Sequence, residues 1–563
     1  MNILMGLTVV EIMKFSKLLN DYKFLLPFLF ILNLIGNGVW LFIQFRVLSV
    51  MLVIVLSALF SVIEVFLFRI IPSSLLKAIY AIILIILHNV VGIVDYFLLY
   101  RFGSVIDLYV LNTVLLTNEA EASDFARTYI TPLTVVVFSV AVILLNVMVY
   151  KLACYVSKLR YTLWTIWITA LFSIVFLVAN TALFLMFNIS ANAQTPMHHA
   201  FLRVGREYAR FRLGIHIEEL LKACQDVKAV SNTGEPLKMI VVIGESHSVY
   251  HTSLYGYEKD TYPLLNERVK KGELFVMQQA VSAHDVTSPA MWSIFSLDSM
   301  GVDTNHTPFF PAVFKAAGYR TFMYDNEFLK NNMLHVMTNS TLSDAMYDQR
   351  NTHYYKYDID MVNDLPMTED SLAMYIIHLA GHHFEYCNRY PKEFDRFKST
   401  DYQISQSQER KELIATYDNC SLYNDFVLDS IIKKFEDDNT IVIYFSDHGE
   451  ELYEKGFLGH MGSRTSPDPS YQLRVPLLVW LSSSFRAHHP DIVEKLNNVK
   501  DMHIKTDDIS HFLIDIAGIK TDWLNKNRSF ITDGEYRGWN SYQEIISASG
   551  IYTEEGTNMR KYP

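Results

Sequence analysis

The sequence predicts a chain of two unlike parts: an N-terminal domain of five transmembrane helices, then an α/β domain built on a mostly parallel central sheet. Three observations predict it. Only about 14 Asp, Glu, Lys and Arg residues lie between Leu25 and Phe187, whereas the rest of the chain carries close to the quarter usual for soluble protein. The same stretch holds five apolar runs, each near the ~20 residues that a helix needs to cross a bilayer. Beyond residue 236, short β-branched runs alternate with helical stretches, the signature of strand–helix–strand units.

The elements follow in order. Residues 1–23 mix apolar positions with Glu11, Lys14, Lys17, Asp21 and Lys23. They lack the order of a cleavable signal peptide and read as a cytoplasmic amphipathic start. The spans are residues 25–45, 47–68, 76–100, 132–155 and 163–187, within a membrane domain of 24–188. Lys14, Lys17 and Lys23 precede the first span, Arg69 and Lys77 flank the second loop, and Lys151, Lys158 and Arg160 sit in the fourth. The first loop offers only Arg46, and the third is acidic on balance. The positive-inside rule therefore places the N-terminus in the cytoplasm and everything after Asn188 outside it. His88 and Asp95 fall inside a span, where ionisable groups are costly and often functional.

Composition excludes other classes. The chain of 563 residues is 51% hydrophobic and carries a net charge of −11, which argues against a nucleic-acid binder with its basic face. Four cysteines are too few for a disulfide-built scaffold.

Residues 189–236 read as a connector, with helical spacing over 200–223. The α/β domain then occupies 237–563. Its first strand is Met239-Ile-Val-Val-Ile243, followed at once by Gly244, Glu245 and Ser246. Further strands are expected at 319–324, 374–378, 440–445 and 475–481, with helices at 412–435 and 507–517. In such sheets the functional site gathers outside the carboxyl ends of the strands. Those ends hold metal-binding residue types: Glu245; His378, His382 and His383; Asp447, His448 and Glu450; and His460 downstream. Histidines with carboxylates in an exported domain suit zinc bound through nitrogen and oxygen.

These motifs resemble a known family. Glu245-Ser246-His247 with Ser253-Leu-Tyr-Gly-Tyr257, Ser446-Asp-His-Gly-Glu450, the His378–Arg389 stretch, and Tyr417-Asp-Asn-Cys-Ser421 together resemble the phosphoethanolamine transferases of the alkaline phosphatase/sulfatase superfamily, which include lipid A modifying enzymes linked to polymyxin resistance. The resemblance implies a sulfatase-like fold in the periplasm, anchored in a bacterial inner membrane. It implies Thr287 as nucleophile, in Thr287-Ser-Pro-Ala-Met-Trp-Ser-Ile-Phe-Ser296, although Ala290 stands where the family has serine. Ser246 is the second choice. It further implies one or two Zn²⁺, held by Glu245, Thr287, Asp447 and His448, with His383 and His460 binding a second metal or the phosphate. Asn326 would contact the phosphoethanolamine group, and Thr117 with Glu121 the amine of the donor. The donor would be phosphatidylethanolamine in the membrane. The acceptor would be lipopolysaccharide, at lipid A or a core sugar, or another glycan. The cysteines depart from the resemblance: several members of the family carry multiple disulfides flanking the nucleophile, whereas no cysteine flanks Thr287 and the chain has room for one Cys387–Cys420 bond, not three.

Two other readings stay open. A phosphoglycerol transferase of the same superfamily would share the spans, the fold and the threonine. A membrane receptor with a degenerate hydrolase-like domain would keep the fold without the chemistry. A sulfatase proper needs a Cys/Ser-x-Pro-Ser-Arg motif, which this sequence lacks.

Overall fold

The computed structural model describes residues 21–38, 47–102, 106, 110, 114, 119–158, 217–231, 234–298, 306–327, 336–348, 355–460, 463, 466–532 and 536–549. They belong to two compact units, chiefly Met1–Leu111 with Tyr129–Arg212, and Asn112–Thr128 with Leu213–Ile551.

The first unit is helical. Its helices are α1 (Tyr22–Gly38), α2 (Val47–Ile70) and α3 (Ser74–Phe102), then α4 (Glu119–Tyr129), most of which groups with the second unit, and α5 (Pro132–Val156). Among the described residues three helices are long and apolar enough to cross a membrane, Val53–Ile70, Ser74–Arg101 and Pro132–Val156, and Lys23–Gly36 is a shorter apolar helix. The fifth expected span, 163–187, lies outside the described residues. Thr131 starts α5 by accepting a hydrogen bond from the Thr134 amide at 3.2 Å, with Pro132 following where no amide is needed. Side chains such as Ile82, Ile86, Leu133 and Leu144 are exposed, as lipid-facing residues of a span must be. The polar residues turn inward. Asn33 donates to Glu64 at 2.8 Å and to Ser61 at 3.1 Å, and His88 Nε2 meets the other Glu64 oxygen at 3.0 Å. Asp95 is buried and accepts the Ile106 amide at 2.9 Å.

The second unit is built on a seven-stranded sheet. Its strands are β1 (Leu237–Gly244), β2 (Leu274–Val276), β3 (Arg320–Asp325), β4 (Ala345–Asp348), β5 (Leu372–His378), β6 (Thr440–Ser446) and β7 (Leu477–Leu481). Their spatial order is β2-β7-β6-β1-β5-β3-β4. All run parallel except β7, which is antiparallel to both neighbours. All five expected strands form. The two unforeseen ones, β2 and β4, are the sheet edges, only 3 and 4 residues long, too short to display a period.

Side-chain alternation gives the sheet two buried faces. Met239, Val241, Ile243, Met374, Ile376, Ile441 and Ile443 join one core, together with residues of α6 (Ile217–Gln225), α7 (Thr287–Phe295), α8 (Phe310–Ala316) and, further along the chain, a helix at Ile509–Ile516. The opposite face carries α9 (Gln408–Phe435), whose Phe435 ring lies 5.1 Å from that of Tyr375. Leu220 and Cys224 of α6 are buried in the first core, so the last part of the expected connector packs into the second unit.

Behind the strand ends, His251 is buried between two acids, 2.6 Å from Asp418 and 3.2 Å from Glu454, and Tyr257 and Tyr402 also donate to Asp418. Burial opposes charge on the imidazole, but the two carboxylates outweigh it and push its pKa up to about 10. A pKa raised in the folded state stabilises fully below the unfolded value of 6.5 and ceases to do so as pH rises through about 10. The stability gap between wild type and His251→Asn, followed by thermal unfolding in detergent, is therefore expected to be widest below pH 6.5 and to close towards pH 10. A gap that does not change with pH would contradict this account.

Candidate active site

Strand register assembles the site. Ile243 pairs with His378 across β1 and β5, and Gly244 pairs with Ser446 across β1 and β6. Glu245, His378 and Asp447 therefore emerge side by side at one sheet edge. The turn after β1 is strained, because Ser246 sits at φ 54, a left-handed conformation costly for a residue with a Cβ. Three hydrogen bonds hold it there. The Ser246 amide donates to Asp447 Oδ1 at 3.1 Å, its carbonyl accepts from Tyr417 at 2.6 Å, and its hydroxyl donates to Glu245 Oε1 at 2.7 Å. The runner-up nucleophile is thus engaged in orienting Glu245. Gly381 completes the turn from the other side. A Cβ there would lie 2.9 Å from the Glu245 amide nitrogen and 3.0 Å from its carbonyl oxygen.

Thr287 is the first residue of α7, half-buried, and its Oγ1 lies 3.2 Å from Glu245 Oε2 and 3.2 Å from His448 Nε2. His448 Nδ1 donates to the Gly449 carbonyl at 2.9 Å. A carbonyl only accepts, so Nε2 presents its lone pair to the site. Ligand atoms of Glu245, Asp447 and His448 lie within 4.8 Å of one another, all buried. Asp447 Oδ2 is buried without a hydrogen-bond partner. Burial and the neighbouring Glu245 push the Asp447 carboxyl up to about 7. Burial acts likewise on Glu245, but His448, His383, the Ser246 hydroxyl and His460 outweigh it and hold that carboxyl low. Two acids, an oriented imidazole lone pair and a buried oxygen without a proton donor fit a divalent cation with N/O ligands.

A second group of potential ligands, His448, Glu450 and His460, adjoins the first. His460 Nδ1 lies 2.8 Å from Glu450, whose other oxygen accepts from Tyr386 at 2.9 Å. Burial opposes protonation of His460, yet Glu450 pushes its pKa up to about 9. His383 is set differently. Arg389 donates to its Nδ1 at 3.1 Å, and Nε2 lies 3.3 Å from Glu327. Since a guanidinium only donates, Nδ1 is the acceptor and Nε2–H points to Glu327. Asn326 is buried, and its amide donates to Asp358 at 2.7 Å. Asp358 also accepts the Ala380 and Gly381 amides at 2.9 and 3.0 Å.

Thr117 lies outside the described residues, and of Glu121 only the backbone, in α4, is described. Arg127 of the same helix donates to both oxygens of Glu385, at 3.2 and 3.0 Å, two residues beyond His383. Cys387 and Cys420 are both thiols, exposed and buried respectively, and the Cys420 thiol donates to the Tyr386 carbonyl at 3.1 Å. Sequence reasoning passed over Asp358, and it gave Glu327 and Arg389 no role although both stand within motifs it singled out. His378 was visible at a strand end but received no role. It is buried, bonded through Nδ1 to Asp325 at 2.9 Å. Burial disfavours its charge, while Asp325, Glu245 and Asp447 raise its pKa.

Residues 238–519 match the sulfatase family, and the chain belongs to it. Within that family, its similarities run to phosphoethanolamine transferases. It is 34% identical over 263 residues to phosphoethanolamine transferase EptA of Helicobacter pylori, covering 45% of this chain and 49% of that protein. It is 29% identical over 311 residues to phosphoethanolamine transferase EptC of Escherichia coli K12, covering 53% of each. The chain therefore spans about half the length of the curated relatives it matches. The structure of the integral membrane lipooligosaccharide phosphoethanolamine transferase A from Neisseria meningitidis superposes with a TM-score of 0.61 at 20% identity, over 90% of this chain and 97% of that one. The fold is thus the expected one, apolar helices followed by a sulfatase-like domain.

Gly381→Ala tests the construction of the site. It places a Cβ against the Glu245 backbone at a left-handed position, a strain of about 1–3 kcal/mol. The variant is expected to keep its circular dichroism while zinc affinity, measured by chelator competition, falls about tenfold or more. Wild-type affinity would show that Glu245 does not depend on this close approach.

Proposed function

We propose that the chain is a phosphoethanolamine transferase of a bacterial inner membrane, with the sulfatase-like unit in the periplasm. It moves the headgroup of phosphatidylethanolamine to a lipopolysaccharide (lipid A or a core sugar) or to another periplasmic glycan. The observation that carries this reading is the position of Thr287, at the start of α7 and 3.2 Å from both Glu245 and His448. A hydroxyl beside a carboxylate and an imidazole lone pair can be deprotonated, and the helix N-terminus favours an incoming phosphate.

Glu245, Asp447 and His448 would hold Zn²⁺, with Thr287 as a further ligand and His460 and Glu450 beside them. When bound, the metal supplies Lewis acidity, which lowers the pKa of a neighbouring hydroxyl and offsets charge on the phosphoryl group. The protein's own residues do the rest. Thr287 Oγ1 bonds to the phosphorus of phosphatidylethanolamine as the bond to the diacylglycerol oxygen breaks. That oxygen leaves with a proton from His460, held charged by Glu450, or from His383 Nε2–H. An acceptor oxygen then attacks the phosphothreonine and returns the hydroxyl to Thr287. Asn326, placed by Asp358, would border the headgroup. Thr117 and Glu121 would approach the donor amine. The Arg127–Glu385 fork supports that role, since it ties the helix carrying Glu121 to the turn that follows His383.

Three outcomes are expected. Thr287→Ala abolishes diacylglycerol release from fluorescent phosphatidylethanolamine and removes the phosphothreonine adduct from the mass spectrum, while Ser246→Ala retains part of the activity. An adduct on Ser246 would reverse the assignment. Exhaustive chelation inactivates the purified enzyme and zinc restores it. Activity that persists without metal would refute the metal reading. Glu121→Ala reduces transfer from membrane phosphatidylethanolamine about tenfold or more, and equal rates would make the membrane half a tether only.

A further inference from the structure

We propose that a groove between α3 and α5 seats one acyl chain of the donor lipid and so sets the depth of its headgroup in the membrane. The inference rests on the transferase reading above and adds to it a site for the lipid tail.

Helices α3 and α5 are tied together at one level. Asn89 of α3 donates to Asn146 of α5 at 3.3 Å, and Asn146 donates back at 2.7 Å. In hydrocarbon neither amide has water to turn to, so such a pair holds two helices at a fixed point. About one turn beyond that tie, at Ile93 of α3 and Ile143 of α5, a groove of about 540 Å³ begins between the helices. Phe97 and Phe138, which both line it, meet edge to face with ring centroids 6.3 Å apart. Val94, Val135 and Ile143 line it as well and are exposed. Ser139, the smallest lining side chain, leaves room beside Phe138.

Place and size identify the occupant. Both helices are long and apolar enough to cross a membrane, so the groove opens on hydrocarbon. From Thr134 to Ile143 it follows α5 for about 14 Å at ~1.5 Å per residue, close to one leaflet of a ~30 Å core. Its volume falls among those of small-molecule sites, roughly 300–1,000 Å³. The end tied by Asn89 and Asn146 points into the membrane. The other end reaches Ile130, the residue that follows α4, and α4 is the helix given to the donor amine above. A tail lying in the groove therefore leaves its headgroup at the level where the chain passes from α4 into α5. The tail only exchanges lipid neighbours for protein ones, so the gain is contact with ordered side chains and a fixed headgroup position rather than escape from water.

The test uses the full-length enzyme in detergent with two donors, dipalmitoyl and dihexanoyl phosphatidylethanolamine. A six-carbon tail is too short to fill the groove. Ser139→Phe, which puts a ring into it, is expected to lower kcat/KM for the long donor about tenfold more than for the short one, mostly through KM. In the wild type, phosphatidylethanolamine with a photoreactive diazirine at the end of one tail should label the stretch from Thr134 to Ile143, and Ser139→Phe should remove that label. This second readout needs no turnover. Equal loss with both donors, or no change with either, would overturn the proposal. Labelling spread evenly over the exposed faces of α3 and α5 would overturn it too, by showing bulk lipid only. Crosslinks between two copies through this groove would replace the tail with a second chain and overturn it likewise. A wild type inactive on both donors would instead sink the transferase reading, while the labelling still reports on the groove.

Discussion

Two buried carboxylates that end neighbouring strands govern this molecule. Glu245 and Asp447 are both fully buried, side by side, with His448 as their nearest imidazole. Bringing like charges together out of water is expensive, and the structure bears that cost only where it can aim positive groups at them. Parallel strands ending together meet that need. The β1–β5 and β1–β6 registers deliver Glu245, His378 and Asp447 to one edge, and α7 brings its positive N-terminus and Thr287 to the same spot. In the proposed reading, metal binding and activation of Thr287 answer one electrostatic problem.

The surrounding residues read as consequences. Ser246 adopts a left-handed backbone because only that turn points its amide at Asp447 and its hydroxyl at Glu245. Position 381 has no side chain because the Glu245 backbone passes where a Cβ would be. Asp358 gathers Asn326, Ala380 and Gly381, so it joins the ends of β3 and β5. Arg389 and Glu450 then give the two flanking histidines different jobs. Arg389 leaves His383 a neutral-type donor geometry through Nε2, whereas Glu450 favours charge on His460.

The helical unit follows the same rule in a different solvent. Apolar side chains such as Ile82 and Leu144 face outward while others pack between the helices, and its polar ones pair inward, with Glu64 shared by Asn33 and His88. In hydrocarbon an unpaired polar group has no water to fall back on, so such a cluster links three helices, α1, α2 and α3, at once.

Much of this was legible in the sequence. The low charge density before Phe187 marks the membrane half because a bilayer tolerates few charges, and the Met239–Ile243 run announces a strand buried on both faces. Glu245, Thr287, Asp447, His448, His383 and His460 could be singled out because metal-binding and nucleophilic chemistry restrict residue type and local motif. The edge strands β2 and β4, the reversal of β7 and the roles of Asp358, Arg389 and Glu327 were not. These depend on partners far apart in the chain: Asn326 meets Asp358, and Glu327 meets His383, across strands whose pairing no local pattern encodes. The sequence by itself determined which chemistry the chain carries and roughly where its elements lie. Tertiary structure alone decided which acid faces which imidazole, because hydrogen-bond direction and burial exist only once the strands are in register.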